Sequence, residues 1–408
     1  MEKALDRFRK IIDTHTDLIL FVVVAGYLIG MVVVIGLDRP LWRDEIQFIN
    51  TIRVFGEEFS LGMLSDYRQP TGPLVFLVYS LWGKIVGFEA ANLRILSLIF
   101  SGTTLLLIYR LFVLILRNRK AALLAVCLLL INPYMWGLGI FVYTDIPTLC
   151  FSVMFVWAVY RRQALFLAVT TALALLARQY SAYLIVAAGV YQLVTIYRGE
   201  KTQMKNVAAL IVGCLPLIVL MILWGGVAPP SGMKRWVVTE SNIYNCGYIT
   251  TYVLFMAAYL SPVILIMRRQ LFQKGSILLL SSLLSCWYLF FPVRPSAAAL
   301  IQTEYDTVGL LHRLIKSVIP IAILENILLW GFFWCGLVVL ANIVHLDIKR
   351  LRNGIWDYGH FLTLAVLCFL FMMPFSYQVW EKYLVSVLPF IMLRLMIMKY
   401  PKPLAALT

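Results

Sequence analysis

The sequence predicts an all-α, polytopic membrane protein of about 12 transmembrane helices, and three observations predict it. Hydrophobic residues make up 62% of the 408 residues and charged residues 13%, against roughly 25% charged in a soluble domain. The apolar residues are gathered into long runs. Leu18–Leu37 is uncharged over 20 residues, the length a helix needs to cross a hydrocarbon core of about 30 Å. The Lys and Arg residues behind the net charge of +15 fall in small clusters between such runs, for example Arg117/Arg119/Lys120, Arg198/Lys201/Lys205 and Lys349/Arg350/Arg352. Clusters of this kind mark one cytoplasmic face. They attract anionic lipid headgroups, so the charge calls for the lipid bilayer as partner and for no nucleic acid.

Taken in order, spans are expected near 17–37, 92–116, 121–141, 146–160, 164–178, 180–197, 207–224, 249–267, 275–292, 317–343, 360–375 and 383–398, with both ends cytoplasmic. The first is too long and uninterrupted for a signal-peptide core, and no small-residue cleavage site follows it, so it is expected to stay. Pro73–Gly87 is also apolar, but it is short and contains Lys84. Counted as a crossing, it would put the Arg117–Lys120 cluster outside; it is therefore expected to lie as a helix at the outer interface. With no short-period repeat or low-complexity linker, residues 1–408 are expected to form one integrated membrane domain with a first outer loop at 38–91.

Several chemistries find no support. Of the seven cysteines all but Cys246 sit in expected spans, where they read as small apolar packing residues. His15, His312, His345 and His360 lack metal-ligand spacing, and no Gly-rich phosphate loop occurs. Neither a metal nor another cofactor is expected.

Polar residues concentrate in the long outer loops, near 38–91, 225–248 and 293–316, and loops on one face usually carry function. The first begins Asp38-Arg39-Pro40-Leu41-Trp42-Arg43-Asp44-Glu45-Ile46. On a helix Asp44 and Glu45 point about 100° apart, so only one can face a shared pocket; a carboxylate at the mouth of an apolar cavity can act as general base. Read blandly, both are solvated charges that stop a membrane helix. Tyr143-Thr144-Asp145 ends the third span, and Asp145 suits either a helix cap or a site. Arg178-Gln179 stands between two spans with almost no loop; its guanidinium can grip a phosphate through paired donors or snorkel to the interface. Later outer segments hold Arg294 and Arg313, then Glu381 and Lys382.

Asp44-Glu45-Ile46, Pro70-Thr71-Gly72-Pro73-Leu74, Leu93-Arg94-Ile95, Tyr143-Thr144-Asp145, Arg178-Gln179 and Gly225-Gly226, taken in that order, resemble segments of the GT-C membrane glycosyltransferases. More narrowly, they resemble the dolichyl-phosphate-glucose α-1,2-glucosyltransferase family. The likeness covers roughly residues 38–230; that family's late loop, rich in His, Asn and Arg, has no counterpart here.

The resemblance implies transfer of a hexose from a polyprenyl-phosphate donor, dolichyl or undecaprenyl, to a lipid-linked oligosaccharide or other outward-facing glycan acceptor. It implies Asp44 as general base, with Glu45 and Asp145 as further catalytic carboxylates. Arg178, with Arg294 or Arg313, would hold the donor phosphate, and Trp42, Tyr143 and Gln179 would line the pocket. The membrane would be the plasma membrane in a prokaryote or the endoplasmic reticulum in a eukaryote. A transporter or flippase of lipid-linked sugars is the other reading. It needs charges deep within spans, and Glu325 is the main one.

Overall fold

The computed structural model describes residues 2–236, 244–296 and 306–400. Regular structure among them is entirely helical. Among the described residues, six helices are long and apolar enough to cross a bilayer: His15–Val34, Ala90–Leu116, Gln179–Tyr197, Lys201–Trp224, Ala322–Arg352 and Tyr358–Phe375. The chain is a multi-pass membrane protein.

The expected count of 12 is not reached. Two of the expected spans are sharply broken, and counting each as one crossing raises the number to 8. The run at 121–141 bends by 76° between Arg119–Leu130 and Pro133–Ile140. There the Asn132 side chain accepts from the Tyr134 N–H at 2.9 Å and Pro133 occupies the first turn, a local stop-and-restart signal inside an apolar run. The run at 249–267 bends by 90° at Leu260, where Ser261–Leu271 opens with a proline, Pro262. Helices do form at Asp145–Arg161, Ala164–Ala177, Gly275–Ser285 and Leu388–Lys399, of 17, 14, 11 and 12 residues, short of the roughly 20 that a crossing helix ordinarily uses. The apolar segment after Pro73 is a 13-residue helix, Leu74–Val86.

The chain groups into two compact units: residues 1–181, 204–232 and 396–408, and residues 182–203 and 233–395. The first holds α1 (Glu2–Val34), α2 (Arg43–Glu57), α3 (Leu61–Ser65), α4 (Leu74–Val86), α5 (Ala90–Leu116), α6 (Arg119–Leu130), α7 (Pro133–Ile140), α8 (Asp145–Arg161) and α9 (Ala164–Ala177). It also holds α11 (Met204–Trp224); α10 (Ala182–Tyr197) belongs to the second. In the first unit α8 packs on α5 and α9, and α9 on α11. An added Cβ at Gly213 would stand 2.6 Å from the Ala168 carbonyl oxygen, so glycine lets α11 and α9 approach backbone to backbone. The outward faces are apolar: Val33, Ile85, Leu165 and Ile222 are all at least 75% exposed. That inverts the soluble pattern and suits a lipid surround.

The second unit repeats the device. Cys246–Tyr259 packs on Ala322–Arg352, and a Cβ at Gly336 would stand 2.2 Å from the Val253 carbonyl oxygen. Its polar interior includes Arg394, fully buried, which donates through Nη2 to Asp347 Oδ1 at 2.5 Å and through Nε to Thr363 Oγ1 at 3.1 Å.

The charge pattern predicts sidedness, which impermeant thiol labelling checks. In a variant lacking the native cysteines, single cysteines at the exposed positions 66 and 226 should react from outside. Those at 119, 201 and 352 should react only after lysis. All five are exposed, and Gly226 has open space around an added Cβ. Outside labelling at 119 would make Leu74–Val86 a crossing and invert every later loop.

Candidate functional site at the first loop

The site begins with a fully buried ion pair. Glu45 sits in the first turn of α2, and Arg94 in the first turns of α5; both are 0% exposed. Arg94 donates Nε to Glu45 Oε1 at 2.9 Å and Nη2 to Oε2 at 2.7 Å, the planar two-pronged geometry in which arginine matches a carboxylate best. Nη1 donates to the Leu37 and Arg39 carbonyls at 2.5 and 2.7 Å. The carboxylate also accepts from the Trp42 N–H at 3.3 Å and the Val142 N–H at 3.1 Å. Two side chains thus fix the loop after α1, the start of α2, the start of α5 and the bent stretch before α8.

Asp44, one residue earlier, is half-buried and takes no place in this pair. The two adjacent carboxylates therefore occupy different environments, as their helical spacing requires. Trp42 caps α2 and stands 48% exposed, with the Arg39 guanidinium 5.9 Å from its ring centre.

A second buried pair follows along the same stretch. Phe141 receives a hydrogen bond from Ser97 Oγ at 3.0 Å, and the buried Tyr143 ring packs edge-on against Phe48 at 5.6 Å. Arg178, at the C-terminal end of α9, donates Nε to Thr144 Oγ1 at 2.7 Å and Nη2 to Asp145 Oδ2 at 3.1 Å. Asp145 is 3% exposed and Arg178 5%. The Arg178 guanidinium lies 5.3 Å from the Tyr180 ring centre. Asp145 opens α8, where a negative charge is favoured by the helix dipole, but its carboxylate turns to Arg178 rather than to a capping bond.

The later part of the first loop closes on the same turn. Gln179 Nε2 donates to the Pro70 and Val227 carbonyls, each at 3.2 Å. An added Cβ at Gly72 would stand 2.0 Å from the Leu176 carbonyl oxygen, and one at Gly232 2.6 Å from that of Gln69; only glycine permits these approaches. Ser231 donates its N–H and Oγ to Asp66 at 2.7 and 2.6 Å, and Trp224 Nε1 reaches the Leu64 carbonyl at 2.7 Å.

Glu45, Tyr143, Asp145, Arg178 and Gln179 are therefore linked through one short stretch, Phe141–Asp145, and the turn after α9. Arg294 and Arg313 belong to the second unit, where Arg294 is exposed and Arg313 half-buried on Leu310–Val318. Sequence reasoning assigned no role to Arg94 and Thr144. A lone arginine among apolar residues at a helix start, following an acidic loop, was the available signal for Arg94.

The second unit has a polar cluster of its own. Glu381, fully buried, accepts from the Tyr259 hydroxyl at 2.5 Å and from the Leu311 and His312 N–H groups at 2.9 and 2.8 Å, capping Leu310–Val318. The Val308 N–H donates to His312 Nδ1 at 3.2 Å, so the neutral ring carries its hydrogen on Nε2 and donates it to Glu325 Oε1 at 2.9 Å. Burial pushes His312 below the ordinary imidazole range; the Glu325 hydrogen bond and charge oppose that shift without cancelling it.

Residues 69–224 match the family model of dolichyl-phosphate-mannose-protein mannosyltransferases. The match supports the GT-C superfamily and not the narrower glucosyltransferase family. No curated protein matches the chain. The matched residues contain Arg94, Tyr143–Asp145, Arg178 and Gln179; Asp44 and Glu45 precede them.

Removing one partner of the first pair strands a buried charge. Arg94→Met should destabilise the protein by about 3–5 kcal/mol, and Glu45→Gln should also cost stability. The double change Glu45→Gln/Arg94→Met should cost less than the sum of the two single changes, as read from thermal unfolding in detergent. For His312, the unfolded chain takes up a proton near pH 6.5 while the folded ring resists it. Its contribution to stability is then present above that pH and lost as pH falls through the lowered folded value. Unfolding midpoints recorded from pH 7.5 to 5 should show this loss, and His312→Gln should flatten it.

Proposed function

We propose that this protein is a membrane glycosyltransferase that moves a hexose from a polyprenyl-phosphate donor to an outward-facing glycan acceptor such as a lipid-linked oligosaccharide. The observation that carries this reading is the division of labour between Asp44 and Glu45. Glu45 is wholly engaged by Arg94 and two backbone N–H groups, and so locks the first turn of α2 while its half-buried neighbour is held at a defined position. The family-model match over residues 69–224 supports the donor class.

In this reading Asp44 takes the proton of an acceptor hydroxyl as its oxygen attacks the anomeric carbon. The bond from that carbon to the phosphate oxygen breaks, and its electron pair leaves on the lipid phosphate. That leaving group is already anionic and stable. Arg178, oriented by Thr144 and Asp145, meets the charge that develops on it. Asp145 and Glu45 act by positioning, and Tyr143, Gln179 and Trp42 border the pocket. A transporter would need a charge at mid-span. Glu325 instead lies in the first turn of its helix, hydrogen-bonded to His312, which supports the enzyme over the carrier.

Purified protein in lipid, given labelled polyprenyl-phosphate mannose and glucose in turn, should transfer label to a glycan acceptor. Movement of the donor across the bilayer without consumption would sink the proposal. Asp44→Asn should keep the unfolding midpoint and lower turnover by about 10²-fold or more. Arg178→Lys, which keeps the charge and loses the planar fork, should weaken donor affinity by about tenfold. Near-normal turnover in Asp44→Asn would remove that residue from the mechanism.

A further inference from the structure

The first loop's junction with the turn after α9 holds an unusual concentration of unsatisfied polar atoms. Among the described residues, Gln69 Nε2, Thr71 Oγ1, Asp145 Oδ1 and Ser181 Oγ are buried without a hydrogen-bond partner. Gln69, Asp145 and Ser181 are 2%, 3% and 0% exposed. In the first unit Ser152 Oγ, within α8, is another such atom, but it stands alone.

The four residues lie on segments that touch one another. Gln69 and Thr71 flank Pro70, whose carbonyl accepts from Gln179. Gly72, next to Thr71, lies against the Leu176 carbonyl. Ser181 ends the short 3-10 turn that begins at Gln179. Asp145 is bonded to Arg178 through its other oxygen. Each of the four residues thus lies within two positions of a residue that makes a direct contact between these segments.

Leaving a buried donor or acceptor without a partner costs stability, and natural folds satisfy nearly all of them. Four at one junction, while the same segments make well-formed bonds with their other atoms, mark groups kept for a ligand. The chemistry of the set narrows that ligand. Gln69 Nε2 only donates, Asp145 Oδ1 only accepts, and the Thr71 and Ser181 hydroxyls do either. Asp145 also offsets the Arg178 charge, so the junction as a whole is close to neutral. Alternating donors and acceptors without net charge fit a ring bearing several hydroxyl groups.

We infer that Gln69, Thr71, Asp145 and Ser181 form a hydroxyl-recognition site for a hexose ring, set beside the Arg178 guanidinium. The inference rests on the glycosyltransferase reading above and names the part of the substrate this junction takes. The ring belongs to the donor or to the acceptor glycan, and the variants below separate the two.

The test uses Gln69→Ala, Thr71→Val and Ser181→Ala in the full chain, reconstituted in lipid nanodiscs. Binding is measured for polyprenyl-phosphate mannose, polyprenyl-phosphate glucose and polyprenyl phosphate without sugar. If the donor ring is recognised here, each variant loses about five- to tenfold in affinity for a sugar-bearing lipid and nothing for the bare lipid phosphate. If the acceptor ring is recognised, donor binding is unchanged while kcat/KM for the acceptor falls by a similar factor. Unchanged values in both measurements overturn the inference. Unfolding gives an independent readout, because removing an orphaned buried hydroxyl should raise the midpoint of Thr71→Val and Ser181→Ala as function falls. A lowered midpoint would mean that the hydroxyls already have partners, and would overturn it too. Failure of the wild-type chain to bind or turn over any sugar-bearing lipid would instead sink the glycosyltransferase reading itself.

Discussion

The first unit depends on the Glu45–Arg94 pair. Taking either charge out of water alone costs several kcal/mol even after relaxation, and both are completely buried. The cost is met because every strong direction of the pair is used. The carboxylate receives four N–H donors, and the guanidinium reaches two carbonyls, of Leu37 and Arg39, in the loop between α1 and α2. Its geometry is therefore a constraint on four chain segments at once. The path from α1 to α2 can take only one course, and the stretch before α8 is pinned to it through Val142.

The Asp145–Arg178 pair extends the same logic one turn along. Near a membrane the surroundings screen charge poorly, so a guanidinium at a helix end needs a partner on its own side of the bilayer. Arg178 finds Thr144 and Asp145, and Gln179 beside it ties the Pro70 and Val227 carbonyls. Lysine could not replace Arg178 in this role, since a point charge does not span a hydroxyl and a carboxylate through two fixed donors. The glycines at 72, 213 and 232 serve the same end, because a Cβ at any of them would meet a carbonyl oxygen at 2.6 Å or less.

How much of this was legible in the sequence differs by level. The helical runs were readable from apolar length alone, and so was their placement between basic clusters. The breaks at Asn132–Pro133 and Leu260–Pro262 were written in capping and proline chemistry, which a hydropathy run overrides when only its length is weighed. Those breaks separate six crossings from eight; the other four of the expected 12 are helices of 11 to 17 residues, because a hydropathy run does not show where a helix ends. Of the polar residues, the local reading correctly saw that Asp44 and Glu45 must diverge on a helix. It could not see which one turned inward, because that is decided by Arg94, 49 positions away. For the same reason the local reading left Asp145 open between a cap and a site. Its partner lies 33 residues on, and pairing across that separation is set by how α8 packs on α9.

The residues matched by the family model begin at Gln69 and end at Trp224, beyond the carboxylate pair at the start of the first loop. What the matched stretch contains is the frame that holds that pair: Arg94, which grips Glu45; the Val142 N–H, which grips it from a second direction; and the Phe141–Asp145 and Arg178–Gln179 segments that keep Val142 in place. The two parts are physically one object. The frame's requirements are few: a carboxylate at the third residue of a helix, an arginine that reaches it through two donors and a backbone N–H opposite. The residue just before that carboxylate is then carried to a fixed position whatever surrounds it. In the proposed reaction the base, Asp44, sits at a position that the frame defines and does not itself occupy, which is the arrangement expected where a rigid helical support carries function.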